Sequence, residues 1–293
     1  MLEYNTIIVG AGPAGMAAAL YLKRAGVNTL LLDKTSPGGQ ILKTNLVENY
    51  LGFSTISGGD LALKMYNHIK KNDIDFKMEE VTQILNEGKH FTVTTPKNDY
   101  MCQNIIIAIG RIPNKLRLAG EDKIKGISYC SICDGNFYKN ETVGVVGGGN
   151  SALTNALYLA DIAKEVYIFV RHEVIGEAEL VNRAKNKENI TILTNSVIST
   201  LKEENGVLTG VILEDNKEVA LKGLFVAIGS KPQISFLDDL KLNGDYIIVD
   251  ENNQTSLKGV YACGDVIKKQ VYQISTAVSE GIIAALSIKG GNK

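Results

Sequence analysis

Long apolar runs are missing from this 293-residue chain, and so is any excess of charge. No stretch approaches the ~18 apolar residues that a membrane-spanning helix requires, so none is expected. Lysine plus arginine number 31 and aspartate plus glutamate 32, a formal net charge of −1. That balance leaves no electrostatic footprint for nucleic acid or an anionic membrane. Four cysteines are too few for a secreted disulfide framework, and the three histidines are scattered. No signal peptide is expected, because Thr6–Val9 already reads as the first strand. Such cysteine usage points to the cytoplasm, where structural disulfides are rare and catalytic ones are not. The rest is an ordinary soluble composition, 45% apolar and 22% charged. At about 100–200 residues per domain, the length favours two domains.

Two glycine-rich loops occur in that length. Thr6–Val9 leads into Gly10-Ala11-Gly12-Pro13-Ala14-Gly15, and an alanine-rich helix follows to about Arg24, with Gly26 as its stop signal. A second buried strand, Thr29–Leu32, ends at Asp33. This order is that of a dinucleotide site. The glycines admit a pyrophosphate to the backbone, the helix N-terminus favours its charge, and Asp33 can bond a ribose hydroxyl. The competing reading is a tight turn in an α/β fold without ligand. Pro37-Gly38-Gly39-Gln40 and Val47-Glu48-Asn49-Tyr50 read locally as loops around a helix start. A helix is expected over 60–71 and strands at Phe91–Thr95 and Ile105–Ile109, with Ala108-Ile109-Gly110 closing the segment and Pro113 opening a crossover.

The second loop is Gly147-Gly148-Gly149-Asn150-Ser151-Ala152, after a strand at Glu141–Val146 and before a helix to about Ala163 and a strand at Glu165–Val170. Beyond that strand, Arg171 to Glu179 holds one arginine, one histidine and three acids. Like charges beside a phosphate are costly, so this loop is poor for NADPH. NADH, or a scaffold with no nucleotide, remains open. Further on, Leu224-Phe225-Val226-Ala227-Ile228-Gly229 echoes Ile105-Ile106-Ile107-Ala108-Ile109-Gly110, as two related domains would. The strand-like Val260-Tyr261-Ala262-Cys263 ends in Gly264-Asp265, which can set a carboxylate on a polyol chain and a helix N-terminus near an anion. A packed helix is expected from about Val271 to Ile288.

Between the loops lies Tyr129-Cys130-Ser131-Ile132-Cys133-Asp134-Gly135. In such a thiol pair one cysteine is commonly activated as the thiolate, the species that attacks a disulfide. Asp134 can give a proton to the leaving sulfur or take one from the attacking thiol. A half zinc site and a pair of inert core cysteines are the alternatives. Zinc wants four ligands, usually as two such pairs, whereas Cys102 and Cys263 stand alone, so no metal is expected. Ser131, Asp134 and Gly135 make a polar turn, unlike a core site. Cys102 and Cys263 are expected to be structural.

Taken together, Gly10–Gly15, the Gly38-Gly39-Gln40 loop, Val47-Glu48-Asn49, the Cys130–Gly135 stretch, Gly147–Ala152 and Ala262-Cys263-Gly264-Asp265-Val266 resemble the low-molecular-weight thioredoxin reductases. The resemblance covers essentially the whole chain. It implies an α/β fold with two Rossmann-like nucleotide-binding domains of the FAD/NAD(P)-linked disulfide reductase type, the second inserted in the first. Residues 1–112 and 244–293 would form the FAD domain, and 113–243 the NAD(P)H-binding-like domain with the thiol pair. It implies a homodimer, FAD as cofactor and thioredoxin as partner. Cys133 would face the flavin, Cys130 would attack thioredoxin's disulfide, and Asp134 would be the acid/base. The FAD-binding set would be Gly10, Gly12, Pro13, Ala14, Gly15, Asp33, Gly39, Gln40, Asn49, Gly110, Gly264, Asp265 and Gln273.

The chain departs from the NADPH-using members in one region. They carry His-Arg-Arg and, after three more residues, another Arg; the matching positions here are Val170, Arg171, His172 and Gly176. Their acids in the helix after the loop are Thr154 and Asn155 here, and an Arg-Gln pair near the last helix is Tyr272-Gln273. These changes resemble the pyridine-nucleotide-independent branch, in which reduced ferredoxin feeds the flavin, and ferredoxin is the donor expected. An NADPH-dependent thioredoxin reductase is one alternative. An FAD-binding redox sensor without turnover is another.

Overall fold

Ile7, Ile8, Leu30, Leu31, Leu32, Ile105, Ile106 and Ile107 are all fully buried. Such uninterrupted apolar runs suit parallel strands covered on both faces. In a computed structural model, which describes residues 2–43, 47 and 49–291 but not the side chains of Lys43 and Cys133, these runs form the centre of one sheet. Its parallel part has the order β3 (Asp75–Met78), β2 (Thr29–Asp33), β1 (Leu2–Val9), β6 (Asp99–Ile107). The first half of β6 pairs antiparallel with β5 (Phe91–Thr94), which pairs with β4 (Gln83–Asn86). Its second half pairs parallel with Val260–Ala262. Strand β6 therefore starts earlier than its Ile105–Ile109 run suggests, because Asp99–Cys102 is held by β5.

The chain divides into two compact units, Met1–Ile112 with Lys231–Lys293, and Pro113–Ser230. The return to the first unit thus comes at 231 rather than at 244. The reason is packing: Phe236 and Leu237 are buried in the first unit's core, and Ile84 donates its N–H to the Phe236 carbonyl at 2.6 Å.

In the first unit, helix α1 (Pro13–Arg24) follows β1, and α2 (Gly58–Lys71) starts at Ser57, whose Oγ accepts from the Asp60 N–H. The last helix runs from Ile274 to Gly291. It lies close on α1, since a Cβ on Gly281 would come within 2.2 Å of the Ala14 carbonyl oxygen. A larger residue there would force a backbone shift costing about 1–3 kcal/mol.

The second unit repeats the plan. Five parallel strands lie in the order Ile190–Leu193, Glu165–Phe169, Thr142–Val146, Gly223–Val226, Ile127–Ser128. A separate antiparallel sheet, Ile198–Glu204, Val207–Leu213 and Glu218–Ala220, packs with them. Helix α3 (Ser131–Asp134) is a single turn, and α4 (Asn150–Ala160) follows the second glycine loop. In each unit the glycine loop leaves a strand at the point where strand order reverses, the place where open α/β sheets bind ligands.

Candidate active site and cofactor cradle

The first loop is shaped by close contacts. Gly10 has φ +109°, and a Cβ there would lie 2.4 Å from the Ala108 carbonyl oxygen, while one on Gly15 would lie 1.8 Å from the Gly10 oxygen. Gly12, by contrast, has nothing within 4 Å of its missing Cβ. It caps α1 in extended conformation, Pro13 opens the helix, and no acid sits in the first turn. An open glycine at an acid-free helix N-terminus is a cradle for a pyrophosphate. Gly39 closes over it, its missing Cβ 3.3 Å from the Gly12 Cα.

Of the other residues expected at FAD, Asp33 and Gly264 lie against this loop, and Gln40, Asn49 and Gln273 bond elsewhere in the first unit. Asp33 braces it: Oδ2 accepts from the Ala11 N–H at 2.7 Å, and Oδ1 accepts from the Thr35 N–H and hydroxyl. Each carboxylate oxygen has two lone pairs, so a ribose hydroxyl can still be bonded. A cavity of about 150 Å³ beside Asp33 is lined by Val9, Glu79, Val81, Ile109 and Phe236. Burial by itself would raise Glu79, but hydrogen bonds from Thr95, Tyr100 and Asn98 outweigh it and hold the carboxyl below the usual range. Asn49 donates to Gln273 at 3.1 Å across 224 residues of sequence. Gln40 donates to the carbonyl of Arg111, next to Gly110 at φ +64°. Gly264 sits against Ala14, with 2.9 Å between its missing Cβ and the alanine's. Glu48 lies outside the described residues.

Asp265 belongs to a charge network that local sequence does not reveal. Lys269 lies 3.4 Å and Arg111 3.5 Å from its carboxylate. Lys269 also bonds Glu280 at 2.8 Å, and Glu280 accepts the Gly264 N–H at 2.8 Å. Burial pushes the Glu280 carboxyl up, with Lys269 opposing the rise. Arg111 stacks on the Tyr272 ring at 4.1 Å. The open cradle, the acid at the end of β2 and this supported Asp265 fit FAD's pyrophosphate, ribose and polyol chain.

Cys130, in the second unit, is disulfide-bonded, whereas Cys102 and Cys263, in the first, are buried free thiols. Burial pushes the Cys102 thiol up to about 12 and raises Cys263 as well. The side chain of Cys133 lies outside the described part of the structure. Helix α3 starts directly after Cys130, and the Asp134 N–H donates to the Cys130 carbonyl at 3.1 Å. Gly135 packs on α4; a Cβ there would lie 3.0 Å from Leu159. Ser128, two residues before the pair, donates to Asp134 Oδ2 at 2.6 Å. Sequence reasoning passed over it, although its position beside the motif was a signal. The Ser131 hydroxyl is buried with no partner among the described residues.

The second glycine loop borders a groove of about 1410 Å³. Gly147 has φ +138°, a Cβ there would lie 2.4 Å from the Ala227 carbonyl oxygen, and a Cβ on Gly149 would meet nothing within 4 Å, as at Gly10 and Gly12. The surroundings differ. Val170 is buried, and its Cγ1 lies 2.7 Å from the place of a Gly148 Cβ. A Cβ on Gly176 would meet Leu153 at 2.3 Å. Asn150, the first residue of α4, donates to Glu177 and accepts the Glu177 N–H, both at 2.7 Å. Arg171 and His172 line the groove with Glu173 and Glu177.

Among the described residues, no helix is long and apolar enough to cross a membrane, and no cluster of three metal-ligating side chains occurs. Residues 4–281 match the family model described as pyridine nucleotide-disulphide oxidoreductase. The chain is 41% identical to a thioredoxin reductase of Mycoplasma genitalium, covering 98% of this chain and 94% of that one. The solved thioredoxin reductase of Lactococcus lactis is 34% identical, with a TM-score of 0.82 and 98% of both chains covered. A ferredoxin-flavin thioredoxin reductase of Clostridium acetobutylicum is 29% identical, with a TM-score of 0.58, over 100% of this chain and 99% of that one. The relatives more alike in sequence carry the plain name, so the expected ferredoxin donor finds no support in them. The chain belongs to the thioredoxin reductases of the pyridine nucleotide-disulphide oxidoreductase family, enzymes that carry FAD.

Proposed function

We propose that this chain passes an electron pair from FAD through the Cys130–Cys133 pair to thioredoxin, as a cytoplasmic homodimer. The observation that carries this reading is the disulfide at Cys130, at the head of α3, with Asp134 one turn away. FAD, when bound, supplies the electrons that open the disulfide. Cys133 is the thiol on the cofactor side, and Cys130 the one that meets thioredoxin. The Cys130 thiolate attacks a sulfur of thioredoxin's disulfide. A Cys130–thioredoxin bond forms, the thioredoxin bond breaks, and its electron pair leaves on the departing sulfur. Asp134 gives that sulfur its proton. Cys133 then attacks Cys130, restoring the pair and releasing thioredoxin as a dithiol, the second sulfur taking its proton from solvent. Cys133→Ser should keep FAD bound and lose turnover; thioredoxin reduction at the parent rate in that variant would refute this route.

For the donor, the reading best supported is a reduced nicotinamide dinucleotide in the second unit's groove. The open Gly149 at the start of α4 repeats the cradle of Gly12. A specific observation favours a second reading, ferredoxin acting directly on the flavin: the Glu177 carboxylate is bonded to Asn150 at the start of α4, and Gly176 carries no phosphate-binding side chain. Anaerobic flavin absorbance, titrated with NADPH, NADH and reduced ferredoxin in turn, separates the two. Bleaching by a nicotinamide, reversed by oxidised thioredoxin, is the expected result. Bleaching by ferredoxin alone would transfer the assignment to the second reading.

A further inference from the structure

Ser128 is buried at the end of the edge strand Ile127–Ser128, which hydrogen-bonds to Gly223–Val226. Its hydroxyl meets three groups: Asp134 Oδ2 at 2.6 Å, the Cys130 N–H at 3.0 Å and the Cys130 carbonyl at 3.2 Å. A hydroxyl has one proton and two lone pairs. The N–H must donate, so a lone pair takes it. The single proton then goes either to the Cys130 carbonyl or to Asp134, and the shorter contact to a carboxylate is the stronger one. Ser128 thus ties the backbone of the disulfide-bonded Cys130 to one oxygen of Asp134. Its strand is anchored in register, Ser128 opposite Phe225, so the tie is fixed by the sheet and not by the loop.

We infer that Ser128 is a positioning residue for thiol–disulfide exchange. It holds Asp134 through Oδ2 and leaves Oδ1 to exchange the proton with the sulfur that departs when Cys130 attacks. It contributes no atom or electron to the exchange; the proton on the departing sulfur comes from Asp134, and the hydroxyl proton stays on Ser128. This rests on the assignment of Asp134 as the acid/base. Without the hydroxyl, the carboxyl rotates freely, and a misplaced acid loses much of its effect.

The test is a double-mutant cycle on the full-length, FAD-loaded protein, reading the single-turnover rate of thioredoxin reduction by enzyme reduced beforehand with dithionite. Asp134→Asn should slow this step about 100-fold and Ser128→Ala about tenfold. In the Asp134→Asn background, Ser128→Ala should cost less than about twofold more, since a residue acting through another cannot act when that other is gone. Ser128→Thr, which keeps the hydroxyl, should recover most of the rate. FAD content and the thioredoxin concentration at half-saturation should stay near parent values in Ser128→Ala. Additive losses, or a threonine variant as slow as alanine, would overturn the positioning role while leaving Asp134's assignment standing. An Asp134→Asn variant at parent rate would overturn both.

Discussion

The two glycine loops are nearly superposable in their local rules and different in what surrounds them. Each begins with a left-handed glycine whose missing Cβ would lie 2.4 Å from a carbonyl oxygen, that of Ala108 for Gly10 and of Ala227 for Gly147. Each has an open middle glycine capping a helix with no acid in its first turn, Gly12 before α1 and Gly149 before α4. The strand beyond them ends differently. In the first unit Asp33 laces the loop and keeps one lone pair, on Oδ2, for a ribose. In the second, the buried Val170 packs on Gly148, and Glu177 is bonded to the first residue of α4. The glycine pattern therefore reports the fold and the room for a phosphate. Charge brought in from the following strand and loop decides which ligand that room suits.

The comparison breaks most sharply under equal substitutions. Gly12→Val should fold yet retain less than about a tenth of the parent's flavin, because the side chain fills the cradle. Gly149→Val should retain flavin fully and lose only its reduction by nicotinamide. Flavin absorbance per chain measures both, and equal flavin in the two variants would erase the distinction between the loops. Next comes the third glycine position. Gly15→Ala puts a Cβ 1.8 Å from the Gly10 oxygen and should destabilise the fold by about 3 kcal/mol. Ala152→Gly, its counterpart, should cost only about 1 kcal/mol of helix propensity. Urea unfolding of the two variants checks the difference.

A smaller effect sharpens the contrast in charge. Glu177→Gln removes an acid at the start of α4 and should tighten binding of a nicotinamide dinucleotide about two- to fivefold, measured by titration calorimetry. The smallest concerns Glu79, the acid bordering the first unit's cavity. Its folded-state carboxyl is held below the ordinary value of 4.5, so its stabilisation is present above that pH and is lost as pH falls toward the folded value. Between pH 7 and pH 4 the parent should lose more stability than Glu79→Gln; parallel losses would refute the assignment.

Much of this was legible locally. The α1 span, the stop at Gly26, the second strand ending at Asp33 and the helix near 60–71 follow from period, propensity and turn chemistry. The final helix starts at Ile274 rather than at Val271, because the Thr276 hydroxyl caps the preceding turn by accepting the Gln273 N–H. Helix α4 stops at Ala160, where Asp161 caps it, and does not reach 163.

By itself, the sequence determined where backbone must bend and which runs must be buried, since glycine conformation and side-chain period act within a few residues. Only the tertiary structure decided that 231–243 belongs to the first unit, with Phe236 and Leu237 in its core. The same holds for Asn49 meeting Gln273, Glu280 reaching the Gly264 amide, and Asp134 accepting the hydrogen bond of Ser128 on a sheet edge. Those contacts join strands and helices whose approach is set by packing of the whole core, which no local pattern encodes.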